Sequence, residues 1–318
     1  ELFASQNDIK NLQLLTDYTI KHYFSEINSV GKEKYLEFFE TVADKTREMI
    51  VHWQRVGFVH GVMNTDNMSI HGITIDYGPY GWLEDFNPNW TPNTTDNQYK
   101  RYRFGNQPQI AQWNLLQLAN ALFPLIEEAK PLEKILNDFP IKYEADYIEM
   151  MHSKLGFEFS SEASKNIINL LTQNLQLTET DMTIFFRSLS LVSKVDSVEN
   201  AFEKIATSFY KLEEVKDSVY DTWMYWFTLY INQLKLENQS DSERKKTMNL
   251  VNPKYVLRNY MAQLAIDAAD KEDYNLVNEL YEMLLKPYNE QKQYEKWFAK
   301  RPDWARYKVG CSALSCSS

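Results

Sequence analysis

Glycine is scarce in this chain, and its placement separates what can be continuous helix from what cannot. The 318 residues include nine glycines, and six of them (Gly57, Gly61, Gly72, Gly78, Gly81, Gly105) fall between residues 57 and 105. Glycine serves where a backbone needs positive φ or close approach. Crowding of this kind in a glycine-poor chain predicts a built, irregular region centred on residues 58–81, FVHGVMNTDNMSIHGITIDYGPYG.

On either side the apolar residues recur at helical spacing. Residues 33–56 place Leu36, Phe39, Val42, Ala43, Met49, Ile50 and Trp53 on one face, and Gly57 ends the run. A weaker pattern covers 10–28. Gln107-Pro108 opens a strong helix over 109–128. After Pro140 the expected helices are 143–154, 160–174, 179–192, 198–211, 214–235, 253–269, 273–285 and 289–298, with the charged stretch 236–249 read as a surface connection. No fixed-period repeat appears. Residues 78–106, with Pro79, Pro88, Pro92 and the polar run 93–97, read as a long functional loop. Its aromatic residues Tyr77, Tyr80, Trp82, Phe86 and Trp90 are expected to anchor it.

Within 58–81 the alternation predicts a β-hairpin. With His71-Gly72 as a two-residue turn, Ile70 pairs with Ile73, Ser69 with Thr74, Met68 with Ile75 and Asn67 with Asp76. Met68, Ile70, Ile73 and Ile75 then share an apolar face, and Asn67, Ser69, Thr74 and Asp76 a polar one. Directly opposed residues have Cβ atoms about 4.5–5.5 Å apart, so Asn67 and Asp76 are expected to meet at the open end, close enough to share one cation. Their hard oxygens suit Mg²⁺ or Mn²⁺ held together with phosphates. Protein kinases use this pair, the catalytic-loop Asn and the Asp of D-F-G. Here His60-Gly61-Val62 stands where H-R-D would, Asn67 follows the His at the matching distance, and Asp76-Tyr77-Gly78 stands for D-F-G. Val62 cannot accept a proton, so the kinase base is missing, but Asp66 lies nearby. His60 reads more readily as structural than catalytic. An ordinary hairpin with a capped polar end is the plain alternative for the whole stretch.

Composition sets outer bounds. A hydrophobic content of 44% leaves ample core, and a net charge of −10 argues against a nucleic-acid partner. No apolar run is long enough for a membrane span. Cys311 and Cys316 are the two cysteines, so no disulfide framework holds the fold. Two thiols on a Ser-rich tail suit redox chemistry, or no role at all.

The residues resemble the selenoprotein O family, pseudokinase-like enzymes that transfer AMP from ATP to protein hydroxyls. The resemblance covers essentially the whole chain. It rests on HGVMNTDNMSIHGITIDYGPYGWLEDF (60–86), RYRFGNQPQIAQWNLLQLA (101–119), NPKYVLRNYMAQLAI (252–266) and SCSS (315–318). It implies a kinase-like fold that binds ATP in a flipped orientation, with the α-phosphate at the point of transfer. Asp66 is then the general base, Asn67 and Asp76 hold Mg²⁺ or Mn²⁺ against the nucleotide, and the partners are proteins offering Ser, Thr or Tyr hydroxyls. Cys316 matches the family's C-terminal Cys or selenocysteine, and a Cys311–Cys316 pair follows as a hypothesis. Family analogy places the protein in the bacterial cytoplasm or the mitochondrion.

The expected architecture is mainly α: a protein-kinase-like C-terminal lobe (1–140) with a short β-hairpin at the metal site, additional family-specific helices (141–300) and a Cys-containing tail (301–318). The chain opens Glu1-Leu2-Phe3 with no Met, and neither G-x-G-x-x-G nor V-A-I-K precedes the site. It is therefore expected to be a fragment without its N-terminal lobe, poor at binding ATP alone. A phosphotransferase, which Val62 speaks against, and a non-catalytic helical interaction module are the competing readings.

Overall fold

The computed structural model describes residues 2–308 and 311. The chain forms two compact units interleaved in sequence: residues 1–52, 62–77 and 105–146, and residues 53–61, 78–104 and 147–318. The fold is mainly helical, as the periodicity predicts.

The first unit is built on α1 (Leu2–Ser5), α2 (Ile9–Tyr23), α3 (Lys32–Val56, to His52), α4 (Gln107–Ile126) and the start of α5 (Ala129–Leu155). Asp8 caps α2 by accepting from the Asn11 N–H at 3.2 Å, satisfying one donor that the first turn leaves open. The helix ends at Tyr23 rather than at 28. The apolar stripe of α3 is buried through Phe38, Phe39, Val42, Ala43, Met49 and Ile50, and Phe24 meets Phe38 edge-on at 5.0 Å. Helix α4 buries Ile110, Ala111, Leu115, Ala119 and Leu122. Its Pro108 sits in the first turn, where a missing N–H breaks no bond. Glu127, at φ 58°, ends it in a left-handed cap whose N–H reaches the Phe123 carbonyl at 2.7 Å. Helix α5 continues through Pro140, so this helix starts well before the expected 143.

The second unit holds the one sheet among the described residues. Strand β1 (Phe58–Val59) pairs antiparallel with β2 (Gly81–Trp82). Its helices are α6 (Glu162–Asn174), α7 (Met182–Leu189), α8 (Val198–Ile205), α9 (Asp217–Leu236), α10 (Asp241–Val251), α11 (Asn259–Ala269) and α12 (Asn275–Leu284). Trp223, Trp226, Phe227 and Tyr230 of α9 are fully buried. They pack with Phe185 of α7 and Phe202 of α8, with ring centroids 5.5 Å (Phe185–Trp223) and 6.4 Å (Phe202–Phe227) apart. Each such side chain contributes roughly 1.5–3 kcal/mol of burial. A second cluster gathers Tyr260, Met261, Leu280, Met283, Trp297 and Cys311.

Only 237–240 of the stretch 236–249 connect helices; from Asp241 it folds as α10, and its signal was present: Ser240 and Glu243 form a reciprocal capping box. Arg244 of this helix is fully buried. Among the described residues, no helix is long and apolar enough to cross a membrane.

Candidate functional site

Asp66, Asn67 and Asp76 all lie in the first unit. Residues Thr65–Asn67 form one 3₁₀ turn, closed by the Asn67 N–H on the Asn64 carbonyl at 3.0 Å. Asp66 projects from it exposed, and Asn67 is half-buried. The Asn67 Nδ2 donates to the Val62 carbonyl at 3.0 Å. This bond uses one of the amide's two hydrogens and fixes the amide plane, whose oxygen is the group able to ligate. One residue on, the Met63 carbonyl accepts from Asn114 Nδ2 of α4 at 3.0 Å. Two asparagines therefore hold consecutive backbone carbonyls of the loop that presents Asp66.

The predicted hairpin over 67–76 does not form. No ladder runs through 67–76, and the turn closes one residue early, with the Gly72 N–H on the Ser69 carbonyl at 3.2 Å. The cause is local. The Ser69 hydroxyl accepts from the His71 N–H at 3.1 Å, a side chain-to-backbone bond that competes with strand pairing. His71 stacks on Phe24 at 5.3 Å. Gly72, at φ +65°, passes so close to α3 that a Cβ would lie 2.6 Å from the Lys45 carbonyl oxygen. Ile73, assigned to the apolar face, is 55% exposed, while Met68, Ile70 and Ile75 are half-buried. Asp76 is exposed and sits at φ 55°, a left-handed conformation that Asp tolerates better than most residues. It is not set opposite Asn67 by strand pairing.

His60 is 1% exposed, stacked on Trp53 at 5.4 Å and edge-on to Phe58 at 6.5 Å. It is a core histidine of the second unit, as expected. In the segment after Gly78, Trp82 meets Phe58 at 5.1 Å and Phe86 meets Phe104 at 6.2 Å, so these aromatics do anchor it. Tyr77 is 60% exposed. Within the polar run 93–97, Asn93 and Asp96 are buried. Asn93 Nδ2 donates to the Gly61 carbonyl at 3.1 Å, and Asp96 accepts from the Arg101 and Tyr102 N–H groups at 2.8 and 2.7 Å.

The same unit contains a buried ion cluster that sequence reading missed. Arg258 reaches both oxygens of Asp181 at 2.7 and 2.9 Å and also binds Glu84. Burial works against the guanidinium charge, but Asp181 and Glu84 outweigh it and hold its pKa well above the usual value. Asp181 also caps α7 through the Ile184 N–H at 2.9 Å. Cys311 is buried, and burial raises its thiol pKa, the state of an unreactive core thiol. Cys316, and with it any Cys311–Cys316 pair, lies outside the described residues.

The family model "Protein adenylyltransferase SelO" matches residues 1–285. The chain is 66% identical over 318 residues to a protein nucleotidyltransferase YdiU of Flavobacterium johnsoniae. It is 48% identical over 334 residues to the protein of that name from Rhodopirellula baltica, and 47% over 319 residues to that from Aromatoleum aromaticum. Each match covers all of this chain but 61%, 62% and 60% of the respective relatives, so the chain spans about three fifths of their length. With the matched family model extending over nearly all of its helices and the whole 60–86 stretch, the chain belongs to the protein adenylyltransferase SelO family.

Proposed function

We propose that this chain carries the catalytic loop of an enzyme that transfers AMP from ATP to Ser, Thr or Tyr hydroxyls of proteins, with Asp66 as the general base. The observation that carries the reading is the Thr65–Asn67 turn. It presents Asp66 to solvent from a loop whose carbonyls are pinned by Asn67 and Asn114, and Asp66 is the one carboxylate between His60 and Asp76. In this reading Asp66 accepts the proton of the target hydroxyl, the hydroxyl oxygen bonds to the α-phosphorus, and pyrophosphate leaves. Val62, in place of the kinase base, disfavours γ-phosphoryl transfer.

The donor set fits a hard divalent cation. Asn67 has one amide hydrogen on the Val62 carbonyl, which fixes the orientation of its amide, and Asp76 is an exposed carboxylate. Among the described residues no three His, Cys, Asp or Glu side chains could hold a metal by themselves. A cation here would complete its shell with phosphate and water oxygens, the habit of Mg²⁺. Bound by Asn67 and Asp76, Mg²⁺ or Mn²⁺ would neutralise phosphate charge during transfer. The chain acts in this reading as a kinase-like lobe, with a second lobe covering the nucleotide.

Intact mass of target proteins after incubation with the full-length enzyme, ATP and Mg²⁺ tests the proposal. A gain of one AMP with release of pyrophosphate is expected. Asp66→Asn should cut the rate by ~10²–10⁴-fold without shifting the unfolding midpoint, because the side chain is exposed. Formation of ADP and phosphoprotein instead, or full activity in Asp66→Asn, would overturn it.

A further inference from the structure

Three consecutive backbone carbonyls lead toward the Asp66 turn, and each accepts a hydrogen bond from an asparagine amide. Gly61 is held by Asn93 at 3.1 Å, Val62 by Asn67 at 3.0 Å and Met63 by Asn114 at 3.0 Å. A peptide unit is planar, so holding a carbonyl fixes the atoms of its whole plane. Three successive planes are thereby set just ahead of Thr65–Asn67. The first of them follows Gly61, the residue of this run with the widest backbone freedom, held here at φ +82°. Its anchor also comes from a different place. Asn67 belongs to the loop and Asn114 to α4, whereas Asn93 belongs to the long segment that follows Asp76-Tyr77-Gly78.

Asn93 is 3% exposed, and its amide serves two purposes at once. Nδ2 donates to the Gly61 carbonyl, while Oδ1 accepts from the Thr95 N–H at 3.0 Å and the Thr95 hydroxyl at 2.7 Å. That oxygen closes the first turn of a segment whose later turns are closed by Asp96 and by the Phe104 N–H on the Trp90 carbonyl at 3.0 Å. The amide group is flat, so its oxygen and nitrogen move together. Unravelling of the 93–96 turn would therefore swing Nδ2 away from Gly61. We propose that Asn93 is a positioning residue for Asp66: it ties the segment after Asp76-Tyr77-Gly78 to the root of the Asp66 loop, which keeps its proton-accepting geometry only while that segment is folded. The role of Asp66 rests on the adenylyl-transfer reading; the link between Asn93 and the loop does not. Any donor could satisfy a buried carbonyl, but one oriented by a neighbouring turn makes the loop depend on that turn.

Asn93→Ser and Asn93→Asp test this in the full-length enzyme with ATP, Mg²⁺ and a target protein. Both keep an oxygen for the Thr95 N–H, and both lose the amide donor to Gly61. Serine adds no charge and aspartate keeps the size, so one serves if the other fails to fold. The kcat for AMP transfer should fall ~10–10²-fold, the cost of a misplaced catalytic group, with KM for ATP and target within ~twofold of wild type. Added to Asp66→Asn, the same substitution should cost less than ~twofold more, because both changes act through one group. Unchanged kcat overturns the proposal. So does an equal fractional loss in both backgrounds, which is what a merely structural residue gives. A substrate-free readout judges the link alone. Hydrogen exchange at the Asn67 N–H, which closes the turn on the Asn64 carbonyl at 3.0 Å, should quicken ~2–10-fold in either variant, the worth of one hydrogen bond. Unchanged exchange overturns the link whatever the chemistry. Full activity in Asp66→Asn with quickened exchange in the Asn93 variants would refute the base, and with it the positioning role, and leave the link to Gly61 standing.

Discussion

Gly61 and Gly78 look alike in the sequence, and replacing each by alanine should have opposite effects. Gly61 has φ +82°, and a Cβ there would lie 2.3 Å from the Pro79 carbonyl oxygen and 3.2 Å from Pro92 Cγ. The nearer obstacle is backbone, which cannot rotate aside, and the Gly61 carbonyl is itself held by Asn93 at 3.1 Å. The left-handed conformation costs an L side chain ~1–2 kcal/mol and overpacking adds ~1–3, so Gly61→Ala should lose ~2–5 kcal/mol. Gly78 has no heavy atom within 4 Å of the added carbon and no positive φ. There alanine restricts mainly the unfolded chain, and Gly78→Ala should gain ~0.4–1 kcal/mol. Urea unfolding followed by tryptophan fluorescence reads both, provided the slopes match wild type. If the two variants fall within ~0.5 kcal/mol of each other, the spread expected of neutral surface changes, the steric reasoning is refuted.

Ser240→Ala removes half of the α10 capping box and should cost ~1 kcal/mol; an unchanged urea midpoint would count against the cap. Arg258→Met strands the buried Asp181 and Glu84 carboxylates and should cost ~3–5 kcal/mol. Burial already raises the Glu84 pKa, so the folded variant should bind protons more tightly than the unfolded chain, and its deficit should shrink as pH falls. A pH-independent deficit would refute that account. Lys154 is buried with its Nζ on the Arg55 carbonyl at 2.7 Å, and burial, then the Arg55 charge, lowers its pKa well below 10.5. The unfolded lysine holds its proton more tightly than the folded one, so stability rises with pH in the window below 10.5. Wild type should therefore gain on Lys154→Met as pH is raised toward that value, and parallel stability curves would contradict it.

Helix content was legible because α3, α4 and α9 carry strong local periodicity, and the glycine-crowded stretch did prove irregular. The absence of a hairpin over 67–76 was not. Ser69 as an Asx-like acceptor outweighs a tidy apolar alternation, and the close pass of Gly72 at Lys45 is invisible without the fold. Helix α10 was missed for the opposite reason: its charge density suggested solvent, while the S-x-x-E signal at Ser240 was in plain view. The Arg258 cluster could not have been read at all. Its partners Glu84 and Asp181 are 174 and 77 residues away, and nothing local in any of the three marks a buried charge. Motif spacing singles out Asp66, Asn67 and Asp76 as candidates, whereas Asn114, which holds the same loop from α4, carries no motif.

The chain treats its carboxylates in two ways, and the contrast bears on what the loop is for. Asp181 and Glu84 are buried and committed to Arg258; a carboxylate already paired inside the protein would have to break that pair, at a cost of several kcal/mol, before serving a substrate. Asp66 and Asp76 are exposed, so meeting a cation or a hydroxyl exacts little desolvation. Exposure alone would leave them poorly placed. The order comes from backbone anchors instead: Asn67 on Val62, Asn114 on Met63, Ser69 on His71 and Gly72 against Lys45. Each anchor fixes main chain and leaves the two carboxylates uncommitted. Pairing two exposed carboxylates would add only ~0–1 kcal/mol, so leaving them free costs the fold little, and an anchored backbone beneath available side chains is what the proposed base and metal roles would need.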